Sequence, residues 1–305
     1  MDSFFFNLRD NRYNVTNIFR EKKSYLKRVD ISNGIAFYKS IFLRKEQKIE
    51  LQNLDRMMII IVVQEGYVSI RDHLTQSDTL IKEGQISMYC SSKQDMTITL
   101  GNTKESNVFI LFVADFFLKR YMTGLETEPI DFLYTKMQKE IALEHINTQP
   151  IDALSVYSIE KILNVLDTNK MQSIRAEHRV MEFMIHRFSL LDILVAGVTR
   201  EELALASRAK DILLQDFREP PTAEILAHLC ATNTTKLKKV FKKVYELTLY
   251  GYVQKLRLKE ANLLLKEQDL TIGEIAKHVG YKHQGHFSKL FFSTYGVYPK
   301  ELMKC

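Results

Sequence analysis

The sequence predicts an α+β protein in which an antiparallel β-barrel and a helical segment precede an all-α domain. Two patterns predict this order. Short β-branched and aromatic runs lie between Gly34 and Val113, and one helical pattern is written twice between residues 222 and 296. A chain of 305 residues is long enough for two domains with full cores. We therefore expect a barrel over residues 1–125, a helical segment over 126–200 and the all-α domain over 201–305.

Turn signals separate the strand-like runs of the N-terminal segment. Glu65-Gly66 links two runs tightly, and Gly84 and Gly101 mark further turns. Strands are predicted over residues 34–43, 57–64, 67–73, 85–89, 96–100 and 108–113. Six or more short strands at this spacing are typical of a small antiparallel barrel or sandwich.

The segment after the strands is predicted to be helical. Residues 152–166 are amphipathic, and the next helix carries a seam of large apolar side chains at alternating spacings of three and four. The seam consists of Met181, Met184, Phe188, Leu191 and Val195. Packing against the barrel and a homodimer interface both explain such a seam, and the sequence leaves the two open.

The first copy of the repeated pattern predicts two helices joined by a tight turn. Pro220-Pro221 ends the preceding helix, and Thr222 can cap the next one. Its apolar face is predicted to be Ile225, Leu226 and Leu229. Asn233 is a good N-cap for the second helix, whose buried stripe recurs at helical spacing. That stripe is Leu237, Val240, Phe241 and Val244.

The opposite face of that second helix is basic. Five lysines occur within eight residues, close to the positive N-terminal end of a helix, and this arrangement favours phosphate contacts. The candidate contact residues of this copy are Asn233, Thr235, Lys236, Lys238, Lys239, Lys242 and Lys243. A plain helical core with a solvated face is the alternative that one such hairpin alone would leave open.

The second copy repeats the pattern with less charge. Gly280 falls where the turn needs a positive φ, and Gly296 and Pro299 end the second helix. Phe287, Leu290 and Phe291 are predicted to point inward. The outward candidates are Lys282, His283, Gln284, Gly285, His286 and Lys289. Between the copies, residues 249–266 are predicted to form one helix that sets their spacing.

The repeated motifs, this connecting helix and the Gly280-Tyr281 turn occur in the order found in the AraC/XylS family of bacterial transcription regulators. Residues 201–305 therefore resemble the DNA-binding domain of that family. The chain departs from the family at two turns, with Ala231 where a glycine is usual and Glu246 where Gly296 has its counterpart. Either these turns have another geometry, or the first copy is strained by about 1 kcal/mol per turn.

The resemblance implies a sequence-specific regulator, expected to be an activator, that reads two successive major grooves of double-stranded promoter DNA and contacts RNA polymerase. The residues alone leave activation and repression open, and the N-terminus and hydropathy predict a cytoplasmic location. The phosphate contacts are expected from Lys238, Lys239, Lys242 and Lys243. Base contacts are expected from Thr235, Lys236, Gln284 and His286.

The resemblance also implies that the N-terminal segment is a cupin-like barrel that senses a small-molecule effector. The candidate effector contacts are Tyr38, Arg56, Tyr67 and Arg71. Lys39 is a further basic residue in the strands, and a surface position is expected for it. Control by a protein partner instead of a small molecule stays open at this stage.

Composition limits the other classes of function. Residues 205–305 contain 17 Lys and Arg against 10 Asp and Glu, a net charge of +7, whereas the whole chain carries +6. The basic surface is therefore C-terminal, as expected for a nucleic-acid domain. No run is long enough to span a membrane, and the N-terminus lacks the pattern of a signal peptide.

Metal and thiol chemistry are not expected. Cys90, Cys230 and Cys305 have no metal-ligand spacing, and His73 is the one histidine of the strand region. A barrel enzyme needs a cluster of inward ligands, so no metal and no cofactor is predicted. An enzyme with a DNA-binding tail is the less favoured alternative.

Overall fold

A computed structural model describes residues 13–41, 46–101, 106–124, 128–139, 143–165, 171–191, 198–267 and 269–303. The chain divides into two compact units. The first is Met1–Ile151 with Ser158–Leu191, and the second is Asp152–Tyr157 with Asp192–Cys305. The division into three segments stays a prediction.

The first unit is built on a nine-stranded sheet in which every pairing is antiparallel. The strands are β1 (Asn14–Glu21), β2 (Ser24–Ser32), β3 (Ile35–Ile41), β4 (Gln47–Glu65), β5 (Tyr67–Asp72), β6 (Ser77–Lys82), β7 (Gln85–Gly101), β8 (Asn107–Ala114) and β9 (Glu144–Pro150). Their order is β1-β2-β3-β8-β4-β7-β5-β6, and β9 also pairs with β7. The antiparallel class is confirmed, although β1, β2, β6 and β9 were not predicted and β7 is one strand where two were expected.

The centre of the sheet is buried on both faces. Residues 57–63 of β4 are at most 3% exposed. Ile59 and Ile61 face a core cluster with Tyr38 and Phe112, while the intervening residues point to the other side. A continuous apolar run is the pattern expected of a strand that is covered twice.

The helices of the first unit are α1 (Asp115–Leu118), α2 (Pro129–Lys139) and α4 (Gln172–Ser189), and α3 (Ala153–Asn164) begins in the second unit and continues in the first. A 3-10 turn, Lys119–Tyr121, follows α1. Helix α4 packs on the sheet, where its Phe183 ring meets Phe109 edge to face at 6.1 Å.

The predicted dimer seam lies on α4 and is largely internal. Met184 is 1% exposed and Phe188 is 5% exposed within the unit. For these two residues, burial within the unit favours the intramolecular alternative, and a dimer role for the seam stays a prediction. Met181 and Leu191 are half-buried, and Val195 lies outside the described residues.

The second unit is helical and contains the duplication. Its helices are α5 (Arg200–Gln215), α6 (Ala223–Leu229), α7 (Thr234–Tyr245), α8 (Leu249–Glu267), α9 (Ile272–His278), α10 (Gln284–Tyr295) and α11 (Pro299–Leu302). In each copy a helix of 7 residues precedes a helix of 12 residues. The duplicated helix-turn-helix is thereby confirmed. Helix α8 connects the copies and is about 28 Å long at the usual rise per residue.

Each copy has its own core, and α8 contributes to both. Tyr252 and Val253 pack in the core of α6 and α7, whereas Leu258 and Leu265 pack in that of α9 and α10. None of the helices in the described part of the chain is long and apolar enough to cross a lipid bilayer.

The apolar face of α6 differs from the predicted one. Ile225 and Leu229 are each 53% exposed, while Leu226, Ala227 and Cys230 are buried. The small side chains of Ala227 and Cys230 let α6 approach α7 closely. The expectation for Ile225 and Leu229 is therefore wrong.

A buried amide ties residues 152–157 into the second unit. The Asn262 side chain donates a hydrogen bond to Asp152 Oδ1 at 2.8 Å and accepts one from the Leu154 N–H at 2.7 Å. Asp152 Oδ1 also accepts from the Ser155 N–H at 2.9 Å. Because buried polar groups are costly unless paired, this network fixes the segment against α8.

Candidate nucleic-acid interface

The first copy places α7 through two caps and one turn. The Thr222 hydroxyl accepts a hydrogen bond from the Ile225 N–H at 3.3 Å, and Asn233 Oδ1 accepts one from the Lys236 N–H at 2.8 Å. Between them, the Thr232 N–H donates to the Ala227 carbonyl at 3.0 Å. This is the hydrogen-bond pattern of a Schellman end. The N-terminus of α7 is therefore held by its own sequence.

The second copy uses the same pattern with other residues. Thr271 and Glu274 form a reciprocal capping box at the start of α9. The Tyr281 N–H donates to the Ala276 carbonyl at 2.8 Å, across Gly280 with its φ of 93°. His283 is the N-cap residue of α10, but its side chain makes no capping hydrogen bond.

The two turns that depart from the family have the ordinary geometry. Ala231 has a φ of 52° and Glu246 has a φ of 58°, both left-handed. Their N–H groups donate to carbonyls as in the second copy, since the Glu246 N–H reaches the Lys242 carbonyl at 2.9 Å and the Gly296 N–H reaches Phe292 at 2.8 Å. Of the two alternatives, local strain in the first copy is the one that the structure supports.

The predicted DNA contacts of both copies share one property, which is that all of these residues are exposed. These residues are Asn233, Thr235, Lys236, Lys238, Lys239, Lys242, Lys243, Lys282, His283, Gln284, Gly285, His286 and Lys289. Their exposure agrees with the outward faces that the periodicity predicts. Their role in binding DNA stays a prediction.

The lysines of α7 are not equivalent. Lys243 Nζ lies 2.6 Å from Glu202 Oε2, and that hydrogen bond is the main reason why the pKa of Glu202 is lowered. Among the described residues, Lys238 and Lys242 make no ion pair. Lys238 lies near enough to Glu224 to lower its pKa slightly, after the Glu224 backbone and the Thr222 hydroxyl. The positive charge of α7 is therefore least compensated at Lys238 and Lys242.

The exposed face of α10 is polar. Gln284 lies over α9, where a Cβ on Gly273 would be 3.1 Å from Gln284 Oε1. The His286 ring packs edge to face on Tyr281, with 5.8 Å between ring centroids. Gly273 therefore leaves room for Gln284, which the sequence pattern did not indicate.

Arg257 is a positioning residue that sequence reasoning missed. Its Nε and Nη2 atoms donate to the Phe217 and Arg218 carbonyls, each at 2.9 Å, and its guanidinium lies 5.3 Å from the Tyr281 ring. Gly280 packs against the Arg218 carbonyl that Arg257 binds, because a Cβ on this glycine would overlap the carbonyl oxygen. Helix α8 thus anchors the turn of the second copy. No spacing rule singles out an arginine within a helix for this role.

The predicted effector contacts have separate surroundings in the first unit. Tyr38 is buried in the sheet core against Phe112. Arg56 is exposed and lies 3.4 Å from Asp115. Tyr67 and Arg71 are four residues apart on β5, which three strands separate from β3. Arg71 pairs with Asp78 at 2.5 Å. An effector role for these residues stays a prediction.

Lys39 is buried, so the surface position expected for it is wrong. It is 1% exposed, and its Nζ donates to Asn107 Oδ1. Burial lowers the pKa of Lys39 to about 7, with a further lowering from Lys27 and an opposing effect of Glu65.

A basic cavity of about 620 Å³ occurs in the first unit. It is lined by Asn17, Arg20, Lys22, Lys23, Tyr25, Lys27 and Ile41. Six of the seven residues lie on β1, on β2 or in the turn between them, which were not predicted, and sequence reasoning therefore missed the cavity.

Within the described ranges, no group of three or more His, Cys, Asp or Glu residues is arranged so that it could hold a metal ion. His73 is hydrogen-bonded to Thr97 at 2.9 Å. Cys90 and Cys230 are buried, and burial raises the pKa of the Cys230 thiol against an opposing effect of Arg208. Cys305 lies outside the described residues.

Comparison with known proteins places the similarity in the second unit. A family described as a helix-turn-helix domain matches residues 226–304. The regulatory protein PchR of Pseudomonas aeruginosa is 34% identical over 75 residues, which are 25% of each chain. The transcriptional regulator AlkR of Acinetobacter baylyi is 35% identical over 82 residues, 27% of each chain. The matched region thus spans about a quarter of the length of these relatives.

Among solved structures, ToxT from Vibrio cholerae O395 aligns over 88% of this chain and 96% of its own at 16% identity. The TM-score is 0.32, which is too low to establish a shared fold.

Proposed function

We propose that this chain, whose C-terminal domain is a double helix-turn-helix domain of the AraC/XylS type, regulates transcription by binding promoter DNA. One observation carries the proposal: two helix pairs of equal lengths, joined by α8, expose the polar and basic side chains of α7 and α10. Two reading helices on one connecting helix fit two successive major grooves.

The two helices have different proposed roles. On α7, Lys238, Lys239, Lys242 and Lys243 neutralise phosphates and fix the register, while Thr235 and Lys236 reach base edges. On α10, Gln284 and His286 reach base edges, since a glutamine amide pairs bidentately with adenine. Asn233, Lys282, His283, Gly285 and Lys289 flank these contacts.

The salt dependence of binding tests the electrostatic half of the proposal. We expect the full-length protein to bind a mixed-sequence duplex with a slope of log K against log salt near −5, if about six phosphates are neutralised. Fluorescence anisotropy at several salt concentrations measures the slope. The Lys300→Ala variant is the control, because this exposed lysine lies on α11, outside both reading helices. A slope near zero contradicts the proposal.

Methylation protection tests the two-groove geometry. On duplexes selected from a random pool, we expect two protected major-groove patches separated by about one helical turn, or 10 to 10.5 base pairs. Protection of one patch alone would mean that only one copy reads DNA.

The remaining parts of the proposal concern regulation. The first unit senses an effector, and its basic cavity supports an anionic one because four of the seven lining residues are cationic.

Activation proceeds through contact with RNA polymerase, and the protein acts in the cytoplasm, where the chromosome is. Homodimerisation would bring two DNA-binding domains to one promoter. The protein is proposed to be a regulator rather than an enzyme.

A further inference from the structure

The second unit contains a cavity that DNA binding alone does not explain. Its volume is about 520 Å³, within the range of about 300 to 1,000 Å³ typical of small-molecule sites. It lies between the first helix-turn-helix copy and α8. The lining residues are Leu213, Pro220, Pro221, Ala223, Leu226, Lys238, Lys242, Thr248, Leu249, Tyr250, Val253 and Arg257.

The apolar lining comes from four segments of the chain. Leu213, Leu226 and Val253 are buried residues of this lining. The Pro220-Pro221 pair, which also lines the cavity, fixes the chain direction after α5. Tyr250 is 66% exposed at the opening. A concave apolar surface of this size gains free energy when a ligand displaces water from it.

The opening is positively charged. Lys238 and Lys242 are exposed and make no ion pair within the described ranges. Arg257 is half-buried, lines the cavity and donates to two carbonyls, so it adds a third positive charge. The nearby acid is Glu224, whose pKa Lys238 helps to lower. An apolar lining with three cations complements a molecule with an apolar body and one anionic head.

We infer that this cavity binds a small amphipathic organic anion, and that the anion competes with DNA for Lys238 and Lys242. The body of the ligand lies against Leu226 and Val253, and its carboxylate or sulfonate faces the lysines. The competition rests on the proposed DNA-binding function, whereas ligand binding itself does not.

The fluorescent dye 8-anilinonaphthalene-1-sulfonate is a suitable probe, because it combines aromatic rings with one sulfonate. We expect the full-length protein to bind it with enhanced fluorescence, and dodecanoate to displace it. The Ala223→Phe variant fills the cavity and removes the dye bound there, while any dye bound in the basic cavity of the first unit is unaffected. The Ala204→Phe variant is the matched control, since it adds the same ring to an exposed position of α5. Equal binding by both variants overturns the inference.

A second pair of variants tests the charge without filling the cavity. Lys242→Gln should raise the Kd of the dye about two- to fivefold, the range for an exposed charge pair. Lys243→Gln removes a neighbouring lysine that pairs with Glu202 and does not line the cavity, so its Kd should not change. Circular dichroism checks that each variant is folded. If Ala223→Phe unfolds, the comparison of Lys242→Gln with Lys243→Gln is the test. An equal effect of these two substitutions on the Kd of the dye overturns the site.

Competition separates this inference from the proposed function. With the dye at ten times its Kd, mutually exclusive binding raises the apparent Kd for a duplex about tenfold in the wild type. The Ala223→Phe variant should show no such shift. If the dye binds the cavity and the DNA affinity is unchanged, the competition is wrong. If no duplex binds at all, the proposed function fails while the dye titrations still decide the cavity.

Discussion

The two helix-turn-helix copies have the same helix lengths but obtain their geometry from different residues. The second copy has Gly280 and Gly296 at its two left-handed positions, whereas the first has Ala231 and Glu246. At the N-terminus of the longer helix, the first copy is the better matched of the two. Asn233 caps α7 with its side chain, and His283 does not cap α10. The first copy therefore has two costly turns and a capped helix start, and the second copy has two well-matched turns and an uncapped helix start.

The difference in charge follows the same division. Helix α7 carries five lysines on one exposed arc, and α10 exposes mainly Gln284, His286 and Lys289. Phosphate attraction is strong but carries no sequence information, whereas an amide on a base edge is specific. Under the proposed function, the lysines of the first copy supply general affinity and Gln284 of the second copy supplies sequence preference.

The largest expected effect concerns the turn of the second copy. In Gly280→Ala the left-handed strain adds to the overlap of the new Cβ with the Arg218 carbonyl oxygen. We expect α9 and α10 to lose about 2 to 4 kcal/mol of local stability. Hydrogen exchange of peptides from these helices measures the loss directly, independently of the first unit.

Gly296→Ala is the matched comparison for that turn. It adds a Cβ at a φ of 72° with no atom within 4 Å, so only strain remains, about 1 kcal/mol. Equal losses for the two glycines would mean that the packing against Arg218 contributes nothing.

The reading roles give the next largest effects. Gln284→Ala should cost roughly 1 to 3 kcal/mol at one base pair and relax the preference there, while Lys242→Ala should weaken binding to all sequences about equally. Lys242→Ala should also reduce the salt slope by about one. Competition binding with single-base variants of a selected site distinguishes the two. A uniform loss for Gln284→Ala refutes its assignment as a base reader.

The helical repeat could be predicted from sequence because caps, turns and apolar stripes are all local. Thr222, Asn233 and Gly280 have the expected roles. The face of α6 was mispredicted because Leu229 is more apolar than Cys230, yet the smaller side chain fits the contact with α7. Strand β9, EHINTQP, has almost no apolar residues, although it pairs with residues 85–90 of β7. Its pairing with β7, which is distant along the chain, left no pattern in its sequence.

The anchoring of the second copy was also beyond the sequence. Arg257 lies on α8 and donates to carbonyls of residues 217 and 218, which are 40 and 39 positions away. Its role depends on the direction of two backbone carbonyls, which no residue type specifies.

The cavity lined by Lys238 and Lys242 could not be predicted for a similar reason, because its lining comes from α5, α6, α7 and α8 together.

Relief of strain in the first copy should give a smaller, opposite effect. Glu246→Gly and Ala231→Gly each remove a non-glycine residue from the left-handed region, but they add backbone entropy to the unfolded chain. We expect a net gain of about 0.5 kcal/mol for each in the exchange protection of α6 and α7. Ala204→Gly, in the middle of α5, is the control and should lose stability by about the same amount. A loss at Ala231 or Glu246 would show that their turns are not strained.

The helix caps give the smallest expected difference between the copies. Asn233→Ala removes the hydrogen bond to the Lys236 N–H and should cost α7 about 1 kcal/mol. His283 has a φ of −129° and a ψ of 125°, the extended conformation that an N-cap needs, so His283→Asn should stabilise α10 by a few tenths of a kcal/mol. Exchange protection of the first turn of each helix measures both changes. Asn233→Ala should lower the exchange protection and His283→Asn should raise it, because α7 has a side-chain cap and α10 lacks one. Changes of the same sign would contradict this difference.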